Sequence, residues 1–256
     1  MRFIENINLN NVSSHSSFIL SPVSDILHDA VSASAGIGNG IETYPLCDYI
    51  MQSVFLKLTG SQEQKMKCIT WEMATNDYEY RRTLLANDDK LGECSSYEVK
   101  NKIFKQLVGQ IRKHDTSFDV KVAVEAKNIL KETFDEITNI FGDSNLSRWS
   151  EGSFRWFVKN RMVIKHEHLV PLDKKGKSNL FENVLQDKYE MLYNHRNRIA
   201  HNTQSYQQNL PTLKTLANDD YVYENYFLYF TILVLVDRIF RVLYKDYLRV
   251  MEDNRI

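Results

Sequence analysis

The sequence is poor in the residues that interrupt helices, with nine glycines and four prolines among 256 residues. Glycine and proline are the strongest breakers of regular helices, so their scarcity leaves long stretches free to be helical. No segment alternates between apolar and polar residues strongly enough to indicate a β-sheet. The composition therefore predicts an all-α fold.

Cysteines are also few, and the net charge is close to zero. The three cysteines, Cys47, Cys68 and Cys94, have neither the number nor the spacing of a disulfide framework or a zinc site. We therefore expect buried thiols in a reducing compartment. The formal net charge is −1, which provides no general basic field. Any binding of nucleic acid must therefore come from a local patch of positive charge.

Long hydrophobic runs are missing as well. The longest uncharged apolar run, Asn225–Val236, is too short to span a bilayer, and the first residues contain no apolar core of a signal peptide. We expect a cytoplasmic protein without membrane contact. We also expect no metal and no cofactor. The glycine-rich stretch Gly36–Gly40 is followed by no lysine, and His166 and His168 have no third ligand at a recognisable spacing.

Hydrophobic periodicity predicts a series of helices. They are expected over Tyr44–Leu58, from Ser61 to about Ala86, from Ser95 or Ser96 to about Ile111, over Phe118–Phe141, over Asn179–Asn194, and from Asn218, Asp219 or Asp220 to about Met251. Gly60 is expected to end the first and Asn179 to cap the fifth. The last helix is apolar nearly all round between Tyr226 and Val236, which indicates a position central to a bundle or buried at a dimer interface.

The stretch Leu146–Leu172 and the turn after it combine positive charge with aromatic side chains. Trp149, Phe154, Trp156 and Phe157 are interleaved with basic residues, and only three acidic residues oppose eight basic ones. Such a pattern can hold a phosphate backbone and stack bases; the alternative is a helix that buries its aromatic residues and solvates its lysines. The predicted RNA contacts are Arg148, Arg155, Lys159, Arg161 and Lys165.

The stretch Tyr193–Asn202 holds two arginines, two histidines and three asparagines. Within it, Arg196 and His201 lie five positions apart. A guanidinium suits a phosphate, and a histidine near neutral pKa can give or take a proton. His195, just before the pair, and Arg198, between its two members, are predicted to contact RNA, with surface solvation as the alternative. Five positions along one unbroken helix are about 140° apart, so Arg196 and His201 would not share a face of it.

The segment Arg196–His201, which reads R-N-R-I-A-H, resembles the Arg-x4–6-His motif of the HEPN superfamily, whose common form is R-N-x-x-A-H. That family consists of compact, usually dimeric α-helical domains, and many members are metal-independent endoribonucleases of toxin–antitoxin, antiphage and CRISPR systems. The resemblance implies a HEPN-like bundle over residues 96–256. Residues 1–95, about which it says little, are expected to form an additional N-terminal helical lobe.

The same resemblance implies roles for individual residues. Arg196 and His201 would be catalytic and Asn197 their polar companion, in a homodimer that brings two histidines together. The expected reaction is attack by the ribose 2′-hydroxyl, leaving a 2′,3′-cyclic phosphate. An antitoxin or companion defence protein is a further expected partner. Thr203 stands where many HEPN toxins carry a tyrosine, which weakens one particular toxin–antitoxin pairing. The alternative function is a non-catalytic HEPN-like module that binds RNA, a nucleotide or a protein.

Overall fold

The computed structural model describes residues 13–86, 94–172, 176–201 and 225–253. Within these ranges the only β-structure consists of two isolated bridges, between Leu169 and Phe181 and between Leu172 and Ser178. The predicted all-α class is therefore confirmed. The described α-helices are α1 Ser14–Leu20, α2 Ser24–Ser34, α3 Tyr44–Asn76, α4 Tyr78–Ala86, α5 Tyr97–His114, α6 Val120–Val124, α7 Ala126–Phe141, α8 Asn145–Trp149, α9 Glu151–Lys159, α10 Asn183–His201 and α11 Tyr226–Asp253.

Helix α11 is the centre of the bundle. Every side chain from Tyr226 to Val236 is buried, because α11 packs against α3, α5 and α7 of the same chain. Of the two positions that its sequence allowed, the structure therefore has the central one. Asn225 caps the helix, since its Oδ1 accepts from the amides of Phe227 and Leu228 at 3.1 and 3.3 Å. The caps predicted at residues 218–220 lie outside the described residues.

Helix α3 is one continuous helix of 33 residues, so the predicted end at Gly60 is wrong. A glycine inside a helix costs about 1 kcal/mol relative to alanine, which tertiary packing can offset. Leu58 and Met66, on either side of it, are both almost fully buried. Gln62 adds a hydrogen bond of 2.6 Å from its Nε2 to the carbonyl of Leu233 on α11. These contacts hold the chain helical across Gly60.

The predicted helix Phe118–Phe141 is divided into α6 and α7. Glu125 separates them with a left-handed backbone, φ 44° and ψ 55°. The apolar pattern explains the division, because the step from buried Val124 to buried Ile129 is five residues instead of three or four. The left-handed backbone at Glu125 accommodates the extra residue, so that the apolar faces of both helices point towards the core.

Helix α10 begins at Asn183, four residues after the predicted cap at Asn179. Residues 169–172 and 178–181 are instead joined by two β-bridges, and we call these two segments the bridged loop. In it, Leu180 N donates to Asn101 Oδ1 of α5 at 2.9 Å. The carboxylate of Glu182 accepts from Val184 N at 3.0 Å and so takes the capping role.

The helices on both sides of the predicted boundary at residues 95 and 96 share one hydrophobic cluster, which extends from Ile19 to Val250. An ion pair lies inside it. Lys65 Nζ of α3 is 2.6 Å from Asp237 Oδ1 of α11, and each side chain is only 2% exposed. The two regions are therefore joined through a common core. None of the described helices is long and apolar enough to cross a membrane.

Candidate functional site

The motif lies within the last turns of α10, not in a turn between two helices. The helix continues from Asn183 through His201, its last residue. The angular separation of about 140° between positions 196 and 201 therefore applies. Positions 196 and 201 lie on different sides of the same helix, so joint action of the two residues needs a group from elsewhere or a second chain.

Arg196 is held in place from two directions. Its Nη1 donates to Oδ1 of the neighbouring Asn197 at 2.9 Å, and its Nη2 is 3.7 Å from Glu63 Oε2 on α3. The side chain of Arg196 is 22% exposed and that of Glu63 is 15% exposed. The guanidinium is thus oriented at the edge of the fold, where part of it still reaches solvent. Asn197 takes the position expected of a polar companion.

Glu63 is itself fixed by two stronger contacts. Lys67 Nζ lies 2.8 Å from Oε1, and Ser95 Oγ donates to Oε2 at 2.6 Å. Burial works against its charge, but the hydrogen bonds from Lys67 and Ser95, with the charges of Lys67 and Arg196, lower its pKa. Glu63 is therefore a charged and well-anchored partner for the arginine.

A buried network of hydrogen bonds holds the backbone of Ser95, whose hydroxyl binds this carboxylate. Tyr189 of α10 donates to the carbonyl of Ser95 at 2.9 Å. Lys100, 1% exposed, donates to the carbonyls of Cys94 and Ser95 at 2.7 and 3.2 Å. Three elements, α3, α5 and α10, thus converge on Ser95. Because these bonds are buried and shared, we expect them to restrict the movement of the Glu63–Arg196 contact.

His195 occupies a position different from the one that we expected for an RNA contact. Its ring is 4% exposed and packs against Phe55 and Tyr229. Nε2 lies 3.0 Å from Tyr226 Oη, and Nδ1 lies 3.4 Å from Arg198 Nη2. An arginine only donates, so Nδ1 is the acceptor and Nε2 carries the proton. Burial takes His195 out of reach of RNA and makes it a support that joins α10 to α11.

The basic residues of the predicted patch are on the surface, but two of them already have acidic partners. Arg155 pairs with Glu151 along α9, and Arg161 Nη1 lies 2.6 Å from Asp135 of α7. Arg148, Lys159 and Lys165 are exposed. No ion pair joins these three to the residues that the structure describes. The patch thus presents charge to solvent on α8, α9 and the segment after them.

The aromatic residues of this stretch mainly support the fold. Phe157 is 1% exposed, and its ring lies against Phe134 and Phe227 at centroid distances of 5.4 and 6.2 Å. Phe154 is partly buried and 5.0 Å from the ring of Phe227. The alternative of buried aromatic residues with solvated basic ones therefore describes these two phenylalanines.

A hydrogen bond connects the basic helix α9 to the start of α11. Asn225 Nδ2 donates to the carbonyl of Ser153 on α9 at 3.0 Å. The next residue, Tyr226, contacts His195. Through the start of α11, the basic helix α9 and the motif helix α10 therefore meet at one corner of the bundle, which we call the motif corner.

His166 and His168 lie in a 3-10 turn, His166–His168. His166 Nδ1 pairs with the adjacent Glu167 at 2.8 Å, and His168 Nδ1 accepts from Lys165 N at 3.2 Å. In the part of the chain that the structure describes, no three histidine, cysteine or acidic side chains come together in a way that could hold a metal ion.

Glu63 and Ser95 are the residues of this corner that the sequence did not reveal. Glu63 and Lys67 form a recognisable i,i+4 pair on a helix, but nothing in it indicates a contact with Arg196, 133 positions later.

Comparisons with protein families, with curated proteins and with solved structures find no match to this chain.

Proposed function

We propose that the protein is a HEPN-type, metal-independent endoribonuclease. The observation that carries this proposal is the held guanidinium of Arg196, oriented by Asn197 and Glu63 at the rim of the fold, on the helix that ends at His201. A fixed arginine at a partly solvated edge suits the charge that develops on a phosphate during cleavage. The resemblance of Arg196–His201 to the HEPN motif supplies the reaction class.

The proposed reaction begins at the ribose 2′-hydroxyl. An imidazole of His201 removes its proton, and the oxygen attacks the adjacent phosphorus while Arg196 binds the non-bridging oxygens. The bond to the 5′-oxygen breaks, and a second imidazole protonates the leaving oxygen. The products are a 2′,3′-cyclic phosphate and a 5′-hydroxyl. DNA lacks the nucleophile and is not a substrate.

We propose a homodimer because one chain offers one His201 on a face remote from Arg196. Helix α11 does not support this proposal, since its apolar surface is covered by its own chain. The outer face of α10 supports it better, because Val184 and Met191 are 46% and 52% exposed there. Position 201 lies about 20° from the exposed position 194 and about 80° from Met191 around the helix, at the border of this outer face. A two-fold contact that includes this border would bring two His201 positions together.

The basic residues Arg148, Arg155, Lys159, Arg161 and Lys165, together with Arg198, are proposed to bind the RNA backbone. The Asn225–Ser153 hydrogen bond, which ties α9 to the motif corner, supports this route. An effector of this kind belongs in a toxin–antitoxin or defence system in the cytoplasm, with an antitoxin or companion protein that restrains it.

The ion pair between Arg196 and Glu63 favours one other candidate function. An arginine whose charge is met by a carboxylate of its own fold also suits a non-catalytic HEPN-like module that binds RNA, a nucleotide or a protein. In such a module Arg196 holds α10 against α3, and cleavage plays no part.

The test is cleavage of matched RNA and DNA oligonucleotides in EDTA by the parent, Arg196→Ala and His201→Ala proteins. The proposal expects cleavage of RNA alone by the parent, with cyclic phosphate ends, and folded but inactive variants. RNA that the parent binds and leaves intact would support the non-catalytic module. Cleavage that needs a divalent ion would contradict the proposed mechanism.

A further inference from the structure

A groove lies on the side of α5 that faces away from the core. It has a volume of about 480 Å³ and is lined by five residues of one α5 stripe, together with Tyr97 and with Gln186 of α10. The stripe consists of Glu98, Asn101, Lys102, Lys105 and Gln106, at helical spacings of three and four. This size is within the range of pockets that hold small ligands.

The walls of the groove are fixed by hydrogen bonds. Tyr97 Oη donates to the carbonyl of Phe181 at 3.0 Å and accepts from its amide at 3.2 Å. Asn101 Oδ1 accepts from Leu180 N, and its Nδ2 donates to Asn179 Oδ1 at 3.3 Å. The bridged loop is therefore pinned alongside α5. A wall made in this way needs little rearrangement to receive a ligand.

The lining offers two ammonium groups and a side-chain amide. Lys102, Lys105 and Gln106 all line the groove, together with one acidic residue, Glu98. Lys105 is exposed, and it has no ion pair among the residues that the structure describes. Gln106 is oriented by a hydrogen bond of 2.9 Å, in which its Oε1 accepts from Tyr80 Oη and its NH2 group remains a donor. Ammonium and amide donors are suited to a phosphate ester.

The groove and the motif share helix α10. Gln186 in the lining and Arg196 are ten residues apart on it, which is about 15 Å along the axis and about 80° around it. A single strand of RNA is long enough to extend over this distance. A strand with its scissile phosphate at Arg196 is therefore expected to place another phosphate in the groove.

We infer that the groove between α5, the bridged loop and the start of α10 is a second binding site, which takes a phosphate of a ribonucleotide through Lys102, Lys105 and Gln106. This inference rests on the proposed ribonuclease function for its favoured ligand, a strand of RNA. A free mononucleotide offers the same phosphate chemistry, and the experiment separates the two sources.

The test compares two double variants with the same change of charge, both in the His201→Ala protein so that RNA is not consumed. K102E/K105E alters the groove, and K121E/K127E alters exposed lysines on α6 and α7 as a control. The readouts are the anisotropy of a labelled single-stranded oligoribonucleotide at several salt concentrations, and calorimetric titration with adenosine monophosphate. Thermal unfolding checks that both variants are folded.

We expect K102E/K105E to weaken RNA binding by about tenfold or more relative to K121E/K127E, and to reduce the salt slope by about 1.4, the share of two phosphates on a single strand. If the groove variant loses binding of adenosine monophosphate while RNA affinity is unchanged, the site takes a free nucleotide. If the groove variant binds both probes like the control, the inference is overturned.

The outcome is separable from that of the proposed function. If the parent protein never cuts RNA but its RNA binding depends on the groove, the ribonuclease function is contradicted and the groove site is supported. If the parent cuts RNA and the groove variants bind and cut like the control variants, the groove site is contradicted and the ribonuclease function is supported.

Discussion

Helix α3 carries two ion pairs only two residues apart, at Glu63 and Lys65, which differ in distance and in burial. Lys65 and Asp237 are 2.6 Å apart with 2% exposure each, and their charges are closed inside the core. Glu63 and Arg196 are 3.7 Å apart at the rim of the fold, and each is partly exposed. The buried pair joins helices, whereas the open pair presents a cation to solvent.

The difference follows from which other groups satisfy each charge. Asp237 Oδ2 accepts from Val23 N at 3.2 Å, and Lys65 also donates to the carbonyl of Ser21. The buried pair is thus complete without solvent and ties the segment between α1 and α2 to the core. Arg196 has part of its fork at the surface, where a phosphate could compete with Glu63 for it. The contrast fits a structural role for the first contact and, under the proposed function, a binding role for the second.

The largest expected effect is on the buried pair. Asp237→Leu leaves the Lys65 ammonium without its counter-charge in the core, and should lower the free energy of unfolding by about 3–5 kcal/mol. The double variant Lys65→Met with Asp237→Leu removes both charges and should recover most of that loss. Urea unfolding measures both. A single variant as stable as the parent would show that the pair is not a structural contact.

The open contact should respond in the opposite way. Arg196→Ala should reduce kcat for RNA cleavage by about 10²–10³-fold, as expected for loss of a donor to the developing charge. The same change should cost less than about 1 kcal/mol of unfolding free energy, because the ion pair is partly exposed. Arg196→Lys is the control that keeps the charge without the fork. A large loss of stability in Arg196→Ala would make the arginine structural and break the comparison.

The sequence predicted the all-α class and the buried stretch Tyr226–Val236. These follow from scarce helix breakers and from apolar residues in unbroken succession. The role of Asn197 beside Arg196 came only from the resemblance to the HEPN motif and stays a prediction. Gly60 and Asn179 misled the prediction of helix ends, because tertiary contacts outweighed local propensity. The Glu63–Arg196 contact could not be predicted, since no local pattern relates residues so far apart.

A smaller effect should separate binding from catalysis at the motif corner. Replacing Arg155, Lys159 and Arg161 by alanine should weaken RNA binding and reduce the salt slope by up to about 2, since three phosphates lose a partner. Because Arg155 and Arg161 already pair with Glu151 and Asp135, we expect the reduction of the salt slope to be smaller than about 2. His201→Ala should keep the slope and lose cleavage.

Anisotropy over a salt series measures the affinity and the slope, and a cleavage assay completes the comparison. The matched control replaces exposed Lys121, Lys127 and Lys131 by alanine. If the two triple variants behave alike, the basic patch is only a solvated surface, and RNA must follow another path.

The smallest effect concerns a third contact of α3, at its C-terminal end. Burial opposes the charge of Asp77, but hydrogen bonds from Lys113, from the amide of Tyr80 and from Gln110 lower its pKa to about 2. A depressed pKa stabilises the fold above the usual carboxyl pKa, and this contribution disappears as the pH falls towards 2.

Asp77→Asn keeps a side-chain acceptor but removes the charge that pairs with Lys113 at 2.7 Å. It should therefore cost about 1 kcal/mol at neutral pH, the upper range for a partly exposed ion pair, and the difference from the parent should shrink in acid. Urea unfolding at neutral and acidic pH measures this difference. A penalty that stays constant with pH would mean that the charge of Asp77 contributes nothing.

The central claim is that cleavage takes place at a site made by two protomers, each of which contributes His201. The direct measurement is RNA cleavage in EDTA by the parent mixed with His201→Ala protein, one part to three, after subunit exchange. If both imidazoles are needed, only parent homodimers cut, and about one sixteenth of the undiluted activity remains at equal total protein. Sites that work independently within each chain would leave about one quarter. That result, or a parent that does not cut RNA at all, would contradict the account.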